Sequence, residues 1–153
     1  MMIDSFLQLS SNQALTGSAA SEDTIDLTNA RDIGIGEPLA LVLAVKVAAG
    51  GTTPTLVAAV QVDSTSAFGS ATTVATSKTY AQADMAAGAI LVIPLPPFSS
   101  LQTDDPQNAE FNHLRVNYTM TGTSPTVTLD AQIMPMSMVQ QYRAYRDGFT
   151  ITG

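Results

Sequence analysis

The stretch LRVNYTMTGTSPTVTLDAQI, Leu114–Ile133, alternates apolar and polar residues on both sides of a Gly-Thr-Ser-Pro segment. Successive side chains of a β-strand point to opposite faces, so each run places its apolar residues on one face. Four turn-forming residues between two such runs are typical of a hairpin. The stretch therefore predicts an antiparallel hairpin with one dry and one wet face. Its dry positions are Leu114, Val116, Tyr118, Met120, Val127, Leu129, Ala131 and Ile133.

A second pair of runs lies upstream. LALVLAVKV, Leu39–Val47, is apolar on both faces as far as Lys46. This pattern predicts a strand that is central in its sheet or covered by another element. After Gly50, Gly51 and Pro54 the alternation resumes in TLVAAVQV, Thr55–Val62, so these two runs also predict a hairpin, with a long loop.

Shorter elements fill the rest of the central region. A turn is expected at Asp63–Ser70 and a short strand at Thr72–Thr76. Tyr80–Ala87 has helix-forming residues before Gly88 and predicts one helical turn or a tight turn. Ile90–Leu95 predicts a strand that the following prolines end.

The 153 residues predict a single all-β domain. Residues 1–36 are interpreted as an N-terminal arm and edge strand, residues 37–134 as the core sandwich, and residues 135–153 as a C-terminal segment. This last segment is either a bent continuation of the final strand or a short helix from Ser137 to Arg146. About eight strands with at most one short helix predict two packed antiparallel sheets, for which a jelly roll and an immunoglobulin-like sandwich are both possible.

The chain resembles the small cement (decoration) proteins of tailed-phage capsids. The resemblance spans roughly Leu39 to Ile133 and depends on the order of three features. These are a strand that ends in Gln-Val-Asp-Ser, a strand after Gly88 that ends in prolines, and the Leu-Arg-Val-Asn-Tyr-Thr run. It implies a jelly-roll-like fold and a non-enzymatic structural protein of a bacteriophage virion.

Composition excludes several classes of function. The net charge is −7, with six Lys and Arg residues against 13 Asp and Glu residues, so direct nucleic-acid binding is not expected. The chain contains no cysteine, which excludes disulfides and thiolate metal sites. No apolar run approaches the ~20 residues that span a bilayer, so no membrane partner is expected. We expect synthesis in the host cytoplasm.

No pattern of catalytic residues is found. His113 is the only histidine, no Gly-x-Ser-x-Gly motif is present, and one histidine cannot supply a zinc site. The acidic pairs Glu22–Asp23 and Asp104–Asp105 lack the spacing of a calcium loop and are typical of solvated turns. We therefore predict no enzyme activity, no metal and no cofactor.

Two segments and one strand position are candidates for association. The N-terminal residues are apolar and either lie on a neighbouring subunit or cap their own core. The C-terminal segment combines tyrosine and arginine, which protein interfaces favour. The candidate interface residues are Met2, Ile3, Phe6, Leu7, Arg115, Tyr142, Arg143, Tyr145 and Arg146.

The resemblance implies binding to the exterior of the capsid, with the major capsid protein as partner. Bridging its subunits stabilises the shell, and self-association, as a dimer in preference to a trimer, extends the bridge. The alternative is a carbohydrate-binding jelly-roll module of a phage tail or receptor-binding apparatus. Against it, the chain has no tryptophan, a common platform for sugar stacking.

Overall fold

The computed structural model describes residues 7–27, 37–96 and 112–139. These residues form eight strands that pair antiparallel in one hydrogen-bonded sheet. A 3₁₀ turn spans Gln82–Met85, and residues 136–139 are helical. The strands are β1 (Gln8–Leu15), β2 (Ala19–Ala20), β3 (Ile25–Asp26), β4 (Leu39–Asp63), β5 (Thr72–Thr76), β6 (Tyr80–Ala81), β7 (Ile90–Pro94) and β8 (His113–Pro135).

The all-β, sandwich-like fold is confirmed, but the two predicted hairpins are wrong. Leu114–Ile133 does not fold back on itself, because it lies within the single 23-residue strand β8. Likewise Leu39–Val62 lies within the single 25-residue strand β4. The two strands pair with each other along their whole length, from Leu39 opposite Pro135 to Asp63 opposite His113.

The predicted turn residues instead form a bend in this long ribbon. Register shifts interrupt the β4–β8 ladder between Val45 and Thr55, where Gly51 and Gly122 adopt φ values of 99° and 114°. A Cβ on Gly51 would lie 2.4 Å from the Ser124 carbonyl oxygen. Only glycine permits so close a backbone approach at positive φ, so the glycines act as bulge residues and not as turn residues.

The bend divides the sheet into two layers. Layer I contains β1, β7, residues 39–50 of β4 and residues 126–135 of β8. Layer II contains β2, β3, β5, β6, residues 55–63 of β4 and residues 113–121 of β8. The inward residues of both layers belong to one core, which includes Leu41, Leu43, Leu129 and Ile133 from layer I and Leu56, Val60, Val116 and Tyr118 from layer II.

Part of the outer face of layer I is also buried. Ala40 and Val42 are fully buried there, beside Met134, and they pack with Val139 of the helical residues 136–139. Met136 donates a backbone hydrogen bond to the Pro38 carbonyl at 2.8 Å, which holds this segment against β4. We call this surface the covered face. The prediction of a central or covered strand is therefore confirmed for residues 39–45, but it is wrong for Val47, which is 59% exposed after the register shift that follows Val45. Strand β8 ends at Pro135 before a helical turn.

The N-terminal region contains more strand structure than its sequence predicts. Residues 8–15, expected in an arm, form β1, which pairs with β8 through two register shifts. Leu9 is fully buried in the core. Asn12 lies within the second shift, between Ser10 and Gln13, at a φ of 50°, so the β1 alternation is broken, and the sequence shows no regular period. The predicted strand Thr72–Thr76 is confirmed as β5, Ile90–Leu95 as β7, and the turn near residue 82 as the 3₁₀ element.

Candidate protein-interaction face

Two of the nine candidate interface residues lie in the described part of the chain. Leu7 is half-buried and packs against the main core, as it would in the alternative that the N-terminal segment caps its own domain. Arg115 lies on β8, on the outer face of layer II. The other seven lie outside the described residues: Met2, Ile3, Phe6, Tyr142, Arg143, Tyr145 and Arg146.

Around Arg115 the outer face of layer II is built from small, uncharged side chains. Directly opposed residues of antiparallel strands share a face, and here Arg115 opposes Gln61, Asn117 opposes Ala59, and Thr119 opposes Val57. All six side chains are half-buried or exposed. We call these six residues the Arg115 face: Val57, Ala59, Gln61, Arg115, Asn117 and Thr119.

Neighbouring strands extend this face on both sides. Thr76 and Thr73 of β5 lie opposite Ala59 and Gln61, and Ala20 of β2 lies opposite Asn117. Arg115 carries the only charge among the residues of β4 from 55 to 61 and of β8 from 115 to 121. The result is a broad, nearly neutral surface on an otherwise acidic chain.

The Arg115 side chain is held by two neighbours. Its Nε donates a hydrogen bond to Gln61 Oε1 at 3.0 Å. Its guanidinium carbon lies 4.3 Å from the centroid of the Phe68 ring, within the range of a cation–π contact. Phe68 is buried although it belongs to the turn after β4. Sequence patterns identified Arg115 but missed Gln61 and Phe68, because neither contact follows from strand alternation.

Asp63 organises the turn that carries Phe68. One carboxylate oxygen accepts the Thr65 backbone N–H at 3.0 Å, and the other accepts the Ser70 backbone N–H at 2.8 Å. The hydroxyls of Ser64 and Thr65 also donate to this carboxylate. The predicted turn at Asp63–Ser70 is thus confirmed, and a buried acidic side chain fixes both of its ends.

These hydrogen bonds favour the ionised carboxylate. The backbone N–H groups of Thr65 and Ser70 lower the pKa of Asp63 below its ordinary value of 3.8, and the two hydroxyls act in the same direction. Burial opposes them without reversing the direction. Asp63 therefore remains charged wherever the protein is near neutral pH.

A second polar cluster joins the layers inside the core. Ser10 on β1 donates to Gln13 Oε1 at 2.6 Å, so its single proton is used and its oxygen accepts from the Tyr118 hydroxyl at 2.8 Å. Gln13 in turn donates to the Ala20 carbonyl at 2.8 Å. Burial raises the pKa of Tyr118, which keeps the phenol protonated as the donor. The cluster is a satisfied structural network.

Other candidate sites are weaker. His113 lies opposite Asp63 and Asp26 at the edge of layer II. Within the described ranges no three His, Cys, Asp or Glu residues could hold a metal ion together. A shallow open groove near the bend is lined by residues 53–55 and 81–83, none of which is charged. No helix of the described residues is both long and apolar enough to cross a bilayer.

Comparison with known proteins places the chain in a family. The family model Bbp16 matches residues 9–133, which include both layers and the whole Arg115 face. The chain belongs to the Bbp16 family. A search of curated proteins with this sequence finds no match. The Bbp16 match begins within β1 and ends in β8, so it covers the bent β4–β8 ribbon and its flanking strands in this chain.

Proposed function

We propose that this Bbp16-family chain is a non-enzymatic structural protein of a tailed-phage virion. It binds the outer surface of the capsid and stabilises the shell by bridging major capsid protein subunits. The proposal rests on the resemblance of residues 39–133 to capsid cement proteins. The observation that carries it on the molecule is the Arg115 face, a broad strand surface with one charge.

The chemistry of this face suits contact with another protein. The centres of protein interfaces are depleted of charged residues and enriched in arginine, and uncharged side chains cost less to desolvate than carboxylates do. Of the described acidic residues, Asp63 lies at the edge of this face with its carboxylate bound by the following turn, and others, such as Asp84 and Asp130, lie elsewhere. A neutral face therefore lets an acidic protein approach a shell without bringing many carboxylates into the contact.

Binding of this kind stabilises by mass action. A protein that binds the assembled lattice and not the free subunits adds about 2.7 kcal/mol per site when its concentration is 100 times Kd. Many identical sites make a modest affinity sufficient, and a dimer that spans two capsomers increases it further. In this proposal the chain associates with itself as a dimer in preference to a trimer and lies on the exterior of the capsid.

The test uses heads of the virus that encodes this chain, purified without it. Added protein should co-sediment saturably with the heads and raise the temperature at which they rupture, while unassembled major capsid protein should not retain it. Protease should remove bound protein from intact heads if the protein lies on the exterior. Absence of retention on heads, together with specific recognition of sugars on a glycan array, would contradict the proposal and favour a carbohydrate-binding module.

A further inference from the structure

The outward end of Arg115 makes no polar contact with the part of the chain that the structure describes. Its Nε atom donates to Gln61, and its guanidinium carbon lies over the Phe68 ring. Among the described residues neither Nη atom has a hydrogen-bond or ion-pair partner. A guanidinium has five N–H donors in a planar fork, so the four on the two Nη atoms remain available beyond the described residues.

The neighbours of Arg115 are held in place at a conformational cost. Phe68 adopts a φ of 52°, a left-handed conformation that is rare for a bulky side chain. It persists because Asp63 fixes both ends of the turn and the Phe68 backbone N–H donates to the Thr65 carbonyl at 3.2 Å. A strained residue that its surroundings hold in place is typical of a functional site. Here the strain places an aromatic ring against a surface arginine.

We propose that Arg115, positioned by Phe68 and Gln61, is a preformed docking fork for a carboxylate of the partner protein on the capsid surface. This inference rests on the proposed function and specifies the partner chemistry at its contact face. Two parallel N–H donors match the two oxygens of a carboxylate, which a lysine ammonium cannot do. Fixing the side chain before binding reduces the entropy lost in the complex.

Charge selects a protein carboxylate over a nucleic-acid phosphate. Phosphate backbones are bound by clusters of Lys and Arg, whereas this face has one arginine and the chain has a net charge of −7. A single fork within a neutral surface instead matches an Asp or Glu side chain surrounded by uncharged residues.

The experiment compares variants by their affinity for the purified heads described above. Arg115→Gln should raise Kd about 30-fold and Arg115→Lys about tenfold, because the second keeps the charge and loses the fork. Phe68→Leu keeps an apolar side chain but removes the ring, and it should raise Kd about fivefold. Phe68→Tyr keeps the ring face and is the matched control, with an affinity within about twofold of the original chain. Thermal unfolding of each variant verifies that it is folded.

A second arm identifies the partner group. Heads whose carboxylates have been amidated with carbodiimide and glycinamide, and which remain intact by electron microscopy, should bind the original chain and Arg115→Gln equally. If the original chain still binds amidated heads more tightly than Arg115→Gln does, the partner group is not a carboxylate. Such a result would indicate a phosphate or a carbonyl acceptor.

The outcomes separate this inference from the proposed function. If the original chain and Arg115→Gln bind untreated heads with the same affinity, the docking fork is wrong while capsid binding stands. If neither binds heads at any concentration tested, the proposed function fails and the inference fails with it. If Phe68→Leu matches Phe68→Tyr, the positioning role of the ring is wrong.

Discussion

The covered face of layer I and the Arg115 face of layer II are built from the same two strands but differ in chemistry. On the covered face β4 presents Ala40 and Val42, which are fully buried under residues 136–139. On the Arg115 face β4 presents Val57, Ala59 and Gln61, which are half-buried. The inner sides of both layers join one core. The inward residues of both layers therefore build one core, whereas the outward residues decide whether a face is buried under residues 136–139 or stays half-buried.

The division of the sheet into two layers depends on the bend between them. Gly51→Ala would place a Cβ 2.4 Å from the Ser124 carbonyl oxygen at a φ of 99°. We expect a loss of about 3–5 kcal/mol of unfolding free energy, or failure to fold, because backbone atoms on both strands would have to move. Urea unfolding followed by circular dichroism measures this loss.

Gly69→Ala is the matched control. A Cβ at Gly69 meets no atom within 4 Å, so its effect should stay within about 0.5 kcal/mol. Equal stabilities of the two variants would show that the close approach at the bend is not required, and the two layers would then not depend on it.

The bend also explains what the sequence could and could not predict. The apolar positions of β8 are even-numbered from Leu114 to Met120 and odd-numbered from Val127 to Ile133. A hairpin turn and a bulged bend both produce this change, since each brings the two apolar sets to one core. The core residues of β8 were therefore predicted correctly. The strand with which β8 pairs was not, because the choice of a partner strand depends on residues far away in the sequence.

The Arg115 face was only partly predictable for a related reason. Alternation places Arg115 on the outer side of β8, and this required no knowledge of the partner strand. Its contact with Gln61 depends on the β4–β8 register, and its contact with Phe68 depends on a left-handed residue in a turn. Neither leaves a periodic signal in the sequence.

The next test makes the same substitution, valine to threonine, on each of the two outer faces. Val42→Thr puts a hydroxyl into the covered face, where the side chain is fully buried, and should cost about 1–3 kcal/mol. Val57→Thr makes the same change on the Arg115 face and should stay within about 0.5 kcal/mol, since its hydroxyl can reach water. Chemical unfolding of both variants gives the difference directly. Similar losses at the two positions would mean that the faces are equally buried, contrary to the division described here.

A smaller effect is expected where the layers are joined by the polar cluster. Tyr118→Phe removes the hydroxyl that donates to Ser10 and leaves a buried oxygen with one hydrogen bond fewer. We expect a loss of about 1 kcal/mol, measured by urea unfolding. The control is Tyr80→Phe, another buried tyrosine, whose hydroxyl has no hydrogen bond within the described residues and whose loss should be smaller. A larger loss for Tyr80→Phe would indicate that the cluster does not connect the layers energetically.

The smallest effect concerns Asp63, the carboxylate at the edge of the Arg115 face. Because its pKa is lower in the folded state than its ordinary value of 3.8, ionised Asp63 contributes stability that is complete above that value. The contribution is lost as pH falls through the lowered pKa. The gap in melting temperature between the original chain and Asp63→Asn should therefore be constant from neutral pH to about pH 5 and narrow below pH 4. Thr65→Val removes one hydroxyl donor but keeps the stronger backbone donors, so it should retain most of this pH dependence. A gap for Asp63→Asn that stays constant to pH 2 would show that the turn under Phe68 does not depend on the charge, and Phe68 would then be held by packing against Arg115 instead.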